Sequence, residues 1–201
     1  MSVAAIVLAA GRSSRTAPRN KLLESTGGKT IIARVCETAI ASGADPVVVV
    51  TGFDADRIEQ TLRGHAVTFA HNPTFAEGMS TSIKAGLEML PKGCDGALIM
   101  LGDMPEVEAR DLKILMRSFA RNGRDAVCVP VRDGRCGNPV LWGACYFAEM
   151  MRLSGDMGAK FLIGEHGGNV IEVPIGSDGI FADVDTPEDL ARLKTKTGPK
   201  R

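Results

Sequence analysis

The residues best suited to chemistry form one basic cluster and two acidic positions. Arg12, Arg15, Arg19 and Lys21 share a short segment that contains no acid. They follow the apolar run V-A-A-I-V-L and the small residues Ala9, Ala10 and Gly11. Small side chains let backbone N–H groups approach a ligand, and successive N–H groups make a concave anion site. Four cations added to such a backbone make a polyphosphate the expected guest. Asp103 stands in Gly102-Asp103-Met104-Pro105, directly after another apolar run, and Asp185 stands in Asp183-Val184-Asp185-Thr186-Pro187. Magnesium takes one or two carboxylates and completes its shell with phosphate oxygens and water, so both acids are candidate ligands. Capping a tight turn is the alternative role for Asp103. At the second position the cap falls to Thr186, which leaves Asp185 for metal.

Two familiar phosphate motifs fail. Gly28-Lys29-Thr30 resembles the end of a P-loop, but the required earlier glycine position holds Leu23. The first loop is not G-x-G-x-x-G either, because Gly11 is followed by Arg12 and Ser13. A nicotinamide-binding reading therefore has little support, and what remains is a glycine-poor, cation-rich phosphate loop.

The elements that must hold these residues follow from pattern. An unbroken apolar run such as Val3–Leu8 reads as a strand covered on both faces. Helical spacing over 30–41 stops at Gly43, 46–50 is a second buried strand, Asp54 caps a helix to Leu62, and 66–69 is a short third strand. This alternation predicts an α/β fold: a single-domain, doubly wound, mostly parallel sheet with right-handed crossovers. Ligands of such sheets sit beyond the carboxyl ends of the strands, where the first loop and Asp103 fall.

Further along, Asn72-Pro73 is a turn, Glu77 to Ser82 leads into a helix ending at Leu90, and Gly96–Leu101 is a fourth buried strand. A helix over 108–120 and a strand over 125–130 follow. The stretch 131–142 reads as a small excursion with Arg132-Asp133-Gly134-Arg135 as a hairpin tip. Residues 142–153 and 159–163 look helical, 169–173 and 180–183 are short strand candidates, and Pro187 opens a last helix behind Thr186. The expected domain is 1–193, with 194–201 a basic, solvated and disordered tail.

The chain has 201 residues with 24 basic and 24 acidic side chains, so nothing global draws it to nucleic acid or a membrane surface. Charge is unevenly placed, however: up to Arg34 there are six basic residues against Glu24 alone. Five cysteines (Cys36, Cys94, Cys128, Cys136, Cys145) with no C-x-x-C pair argue against a disulfide framework or zinc knuckle. No basic leader precedes Val3, and the first apolar run is too short for a membrane span. A reducing, cytoplasmic setting is the expectation. Buried structural thiols are the expected outcome, and only Cys136, in the turn-rich excursion, is even a minor candidate for a place near a ligand. His65, His71 and His166 sit in no motif and read as structural.

In order along the chain stand L-A-A-G-x-S-x-R with a following lysine, G-M-S-x-S, G-D-x-P, G-N-P-V, G-D-x-G-A and D-x-D-T-P-E-D-L, spanning Ile6 to Leu190. This set resembles the nucleotidyltransferases of molybdenum cofactor biosynthesis and is most similar to the molybdenum cofactor cytidylyltransferase branch. The resemblance implies that Leu8, Ala9, Ala10, Gly11, Arg12, Ser13, Arg15 and Lys21 wrap a nucleoside triphosphate, with Gly102 and Asp103 beside it. It implies Gly78, Met79 and Ser80 near the base, and Asn138, Pro139, Gly155, Asp156 and Gly158 on the acceptor side. Asp103 and Asp185 would bind Mg2+, and Arg15, Lys21 and Asp103 would be catalytic. The resemblance also implies a Rossmann-like nucleotidyltransferase fold, and it associates the Ala9-Ala10-Gly11 form of the loop with CTP over GTP. The implied partners are small-molecule substrates and a molybdenum enzyme or its chaperone, with no nucleic acid and no membrane.

Two departures stand out. Thr16-Ala17 replaces the family's methionine-glycine, and Met104 stands where the cytidylyltransferases commonly have glutamine. The competing readings are transfer to another phosphorylated acceptor, a non-catalytic nucleotide- or cofactor-binding chaperone, and an oxidoreductase partner sharing the fold.

Overall fold

A computed structural model describes residues 1–12 and 20–197. The central strand is β1 (Val3–Leu8), and its alternating side chains supply both cores. Val3, Ala5 and Val7 face one layer of helices, while Ala4 and Ile6 face the other. Successive residues of a strand point to opposite faces, so an unbroken apolar run is what a two-sided sheet requires.

β1 pairs in parallel with β4 (Val47–Thr51) and β6 (Gly96–Leu101), and β4 pairs in parallel with β5 (Thr68–His71) at one edge. Beyond β6 the sheet changes. β9 (Val140–Gly143) lies antiparallel between β6 and β7 (Val127–Arg132), and β10 (Val170–Pro174) closes the other edge parallel to β7. Among the described residues the sheet has eight strands, counting the short β8 (Arg135–Cys136) paired to β7. A small separate hairpin, β2 (Ser25–Thr26) with β3 (Lys29–Thr30), precedes the first helix.

Helices α1 (Ile31–Ser42) and α4 (Ala109–Asn122) cover the Val3 face through Ile32, Val35, Leu112, Leu115 and Phe119. Ile58 of α2 (Ala55–Thr61) joins the same core. α3 (Met79–Glu88) and α5 (Phe147–Met150) cover the other face through Ile83, Leu87 and Met150. Thr30 caps α1 by accepting from Ala33 N–H, and Gly43 ends it in the left-handed conformation. No helix among the described residues is long and apolar enough to cross a membrane.

The parallel, mostly doubly wound α/β sheet matches expectation, and so does the hairpin tip, whose Asp133 and Gly134 both have positive φ. Four expectations need correction. Residues 142–143 are not helical: Trp142 is fully buried in β9, and only 144–150 are helical, as a 3-10 turn followed by α5. The excursion thus returns as an interior strand. Ile180 lies in a 3-10 turn (Asp178–Phe181) rather than a strand, because its carbonyl is taken by Asn138 N–H instead of a ladder. Asp54 stands before α2 but makes no cap bond. Its left-handed backbone (φ 58°) turns the side chain toward Arg57, 3.2 Å away. Finally, α6 (Pro187–Thr197) continues past 193, and Lys194 and Lys196 pair with Glu24 and Glu106. The helix therefore includes the first part of the expected tail.

Candidate active site

Three segments far apart in sequence converge at the carboxyl end of β1 and β6. Lys21 opens a short 3-10 turn (Lys21–Leu23) that Asn20 caps by accepting from Leu22 N–H, and buried Leu22 anchors the turn in the core. Asp103 follows β6, where Gly102 N–H donates to the Leu8 carbonyl at 3.0 Å. Asp185 arrives from the carboxyl-terminal side, because Val184 N–H donates to the Asp103 carbonyl at 3.0 Å. Asp189 fixes it further. Its carboxylate accepts from Asp185 N–H, Thr186 N–H and the Thr186 hydroxyl, while Thr186 Oγ1 accepts from Asp189 N–H. This reciprocal cap, led by the Thr186 hydroxyl, holds the Asp189 carboxyl below its ordinary range.

Lys21 Nζ donates to Asp103 Oδ2 and Asp185 Oδ1, each at 2.7 Å. Burial works to lower the ammonium's pKa, but the charges and hydrogen bonds of Asp103 and then Asp185 outweigh it and hold it above the ordinary lysine value. The second Asp103 oxygen, Oδ1, is buried with no hydrogen-bond partner among the described residues. Two carboxylates already sharing a cation, with one carboxylate oxygen still unused, suit a hard divalent ion. No group of three or more His, Cys, Asp or Glu side chains suited to a metal occurs among the described residues. A pair of carboxylates is a donor set that magnesium can use, because that ion leaves most of its shell to phosphate and water.

Beside the triad lies a cavity of about 360 Å³, within the range of small-molecule sites. Leu8, Ala10, Gly11 and Arg12 line it from the β1 loop, and Phe75, Ala76, Gly78, Met79 and Ser82 line it from the start of α3. Leu101, Asp103 and Asp156 complete the wall. The Arg12 guanidinium lies 5.5 Å from the Phe75 ring centroid, a cation–π contact across the cavity mouth.

A second cavity of about 220 Å³ adjoins it and shares Met79, Leu101 and Asp156. Its other walls are Ile83, Ile99, Asn138, Val140, Trp142, Gly158, Ala159 and Lys160. The surroundings are apolar, with few polar groups. Trp142 Nε1 is buried with no acceptor among the described residues. Desolvation lowers the Lys160 ammonium's pKa, and Cys136 acts against that shift.

The two cavities meet where α3 touches the loop over 155–158. Ser80 N–H donates to the Gly155 carbonyl at 3.2 Å. Gly78 has φ 118°, and a Cβ there would lie 2.2 Å from the Gly155 carbonyl carbon and 2.7 Å from Asp156 N. Only glycine fits this junction, on both backbone and steric grounds. Asn72 braces the same segment by donating to Thr81 Oγ1 and Ser82 Oγ.

The structure thus brings Leu8, Ala10, Gly11, Arg12, Gly78, Met79 and Asp103 to one cavity, and Asn138 and Gly158 to the other. Asp156, expected on the acceptor side, lines both. Ala9 is buried in the core, Gly102 lies behind Asp103, and Ser80, Pro139 and Gly155 support the walls without lining them. Ser13, Arg15 and the Thr16-Ala17 departure lie outside the described residues. Met104 packs into the core at 4 % exposure, under the turn. His65, His71 and His166 line neither cavity. The sequence reading missed Phe75, Trp142, Lys160 and Asp189. Phe75, an aromatic between a proline turn and a glycine-serine segment, was the most findable of these.

A mostly parallel α/β sheet with a lysine bridging two acids beside the carboxyl ends of its central strands has the layout of a nucleotidyltransferase. Residues 5–170 match the MobA-like NTP transferase domain, and the chain belongs to that family. It is 26 % identical to the molybdenum cofactor cytidylyltransferase of Escherichia coli K12 over 194 residues, covering 95 % of each chain. Among solved structures it resembles a nucleotidyl transferase from Methanothermobacter thermautotrophicus (TM-score 0.86, 23 % identity, covering 98 % of this chain and 97 % of that one). It also resembles Rv0371C of Mycobacterium tuberculosis in complex with manganese (TM-score 0.76, 26 % identity, covering 97 % and 99 %).

Proposed function

We propose that this nucleotidyltransferase is magnesium-dependent and transfers CMP from CTP to a phosphorylated small molecule, molybdopterin or its metal-loaded form, releasing pyrophosphate. The observation carrying the reading is the Lys21–Asp103–Asp185 cluster beside the first cavity, with a second cavity opening next to it. The nucleotide would occupy the first cavity and the acceptor the second, meeting at Met79, Leu101 and Asp156. The likeness to the Escherichia coli enzyme supports the choice of CTP and acceptor, and the manganese complex of Rv0371C supports a divalent metal.

In the reaction, an oxygen of the acceptor phosphate forms a bond to the α-phosphorus as the bond to the β-bridging oxygen breaks. Pyrophosphate leaves with the electron pair. A phosphate monoester is largely dianionic near neutral pH, its second pKa being about 6, so no general base is needed. That agrees with a site whose cavities no histidine lines. Asp103 and Asp185 would hold the magnesium, which neutralises phosphate charge when bound. Lys21 brings a point charge to the phosphates, Arg12 closes the mouth against Phe75, and the small residues of the β1 loop let backbone donors approach. A cytoplasmic setting and delivery of the product to a molybdenum enzyme belong to the same proposal.

The test is pyrophosphate release from CTP, GTP, ATP and UTP with magnesium and a panel of phosphorylated acceptors that includes molybdopterin. Release with CTP and molybdopterin above all other pairs is expected. Turnover with a sugar phosphate instead would reassign the acceptor, and nucleotide binding without release would make the chain a binding protein.

A further inference from the structure

Two of the three N–H donors of Lys21 are held by its present carboxylate partners, which leaves one for a phosphate. Its Nζ sits 2.7 Å from Asp103 Oδ2 and 2.7 Å from Asp185 Oδ1, on one oxygen of each carboxylate that the proposed function gives to the metal. An ammonium and a divalent ion held by the same pair of carboxylates repel each other at short range, so the two compete for the pair. The backbone of Lys21 is not free to move, since Asn20 caps its turn, Glu24 N–H donates to its carbonyl, and Leu22 is buried in the core. Its side chain is a different matter: lysine carries a compact charge on a flexible four-carbon stem.

We infer that Lys21 holds the cation's place between Asp103 and Asp185 until nucleotide arrives, and that the ammonium then passes to the phosphates as metal and triphosphate enter together. The inference rests on the metal assignment proposed above. Without nucleotide, a metal must displace a doubly paired ammonium that has gained no new partner. With nucleotide, the phosphates receive the ammonium and the metal takes the carboxylates. The two bindings are therefore coupled, each favouring the other. The exchange also keeps two half-buried carboxylates compensated when no metal is there.

The test uses Mn2+ alone as the probe, its free concentration followed by electron paramagnetic resonance. It compares the wild-type full chain with Lys21→Met, Lys21→Arg and Asp103→Asn, each checked for folding by circular dichroism. Lys21→Met is expected to bind Mn2+ at least about tenfold more tightly than wild type. Lys21→Arg, whose guanidinium grips carboxylates in two places, is expected to bind it no more tightly than wild type. Asp103→Asn is expected to lose Mn2+ binding. Unchanged or weaker binding by Lys21→Met, with binding lost in Asp103→Asn, would overturn the exchange while leaving the metal site standing. Retained binding in Asp103→Asn would remove the metal site and the exchange with it. Should Lys21→Met fail to fold, the wild-type protein supplies the answer: the Lys21 Nζ proton resonance should lose its protection from water exchange as Mg2+ is added, and unaltered protection at saturating Mg2+ would refute the idea.

Discussion

The sheet differs on the two sides of β6, and the two cavities differ with it. Toward β1, β4 and β5 the strands are parallel, and the first cavity combines small and charged residues, Ala10, Gly11, Arg12 and Asp103, with the larger walls Phe75 and Met79. Toward β9 and β7 the pairing turns antiparallel, and the second cavity is walled by Ile83, Ile99, Val140 and Trp142. Under the proposed placing of nucleotide and acceptor, the difference is a division of labour. Polyphosphate is recognised by charge and close backbone approach, which need few side chains in fixed places. A neutral body next to it is recognised by shape and a small number of unpaired polar atoms.

The comparison breaks most severely at the charge it depends on. Asp103→Asn should lower pyrophosphate release by about 10³-fold with the fold retained, because one ligand oxygen and half the Lys21 anchorage are lost. Turnover measured by a coupled pyrophosphate assay, beside a thermal melt, decides it. Turnover at the wild-type rate would mean that Asp103 is only a turn residue. Gly78→Ala attacks the junction instead. Its Cβ would lie 2.2 Å from the Gly155 carbonyl carbon at a φ of 118°, so the loop over 155–158 must shift. Stability should fall by ~2–3 kcal/mol in urea titration. Turnover should drop about 10²-fold with both substrates' KM altered, as expected when reacting groups are misplaced by an ångström. A change in one KM alone would show that the cavities work separately.

Legibility follows the same divide. Val3–Leu8, Val47–Thr51 and Gly96–Leu101 were readable because parallel strands buried on both faces must be apolar throughout. The convergence of Lys21, Asp103 and Asp185 on one site was expected from strand ends and family motifs. Their direct ion pairing was not, since the sequence reading sent Lys21 to phosphate and the acids to metal. Across β6 the reading weakened. Val140-Leu141-Trp142 is a short apolar run, which periodicity cannot separate from the start of a buried helix, and only the neighbours β6 and β7 settle it. With β9 misread, Trp142 could not be seen as a cavity wall. Lys160 was missed for a related reason: its place depends on how the loop over 155–158 meets α3, a contact made through backbone atoms and Gly78.

Trp142→Phe should sharpen the contrast with a smaller effect. Trp142 lines the second cavity and not the first, and its indole N–H is a buried donor with no acceptor among the described residues. If the acceptor supplies the missing partner, losing that N–H should raise the acceptor's KM about tenfold, in keeping with one hydrogen bond. The KM for nucleotide should stay unchanged. The stability cost of ~1–2 kcal/mol, from volume lost in the core, is separable by melting. Equal shifts in both KM values would place the effect on the fold rather than on recognition.

The smallest effect should come from Lys160→Met. Lys160 lines the second cavity from the exposed end of the 3-10 turn Ala159–Ile163, so its charge is partly screened by water. Removing the charge while keeping the stem should weaken a phosphorylated acceptor about threefold, the scale of an exposed ion pair. Because desolvation lowers the ammonium's pKa, the contact should fade on the alkaline side at a lower pH than an ordinary lysine would give. The wild-type acceptor KM should therefore rise with pH in that range, and the variant's should not. A variant that keeps the wild-type pH profile would assign that rise to another group and leave the second cavity to act by shape and the Trp142 donor alone.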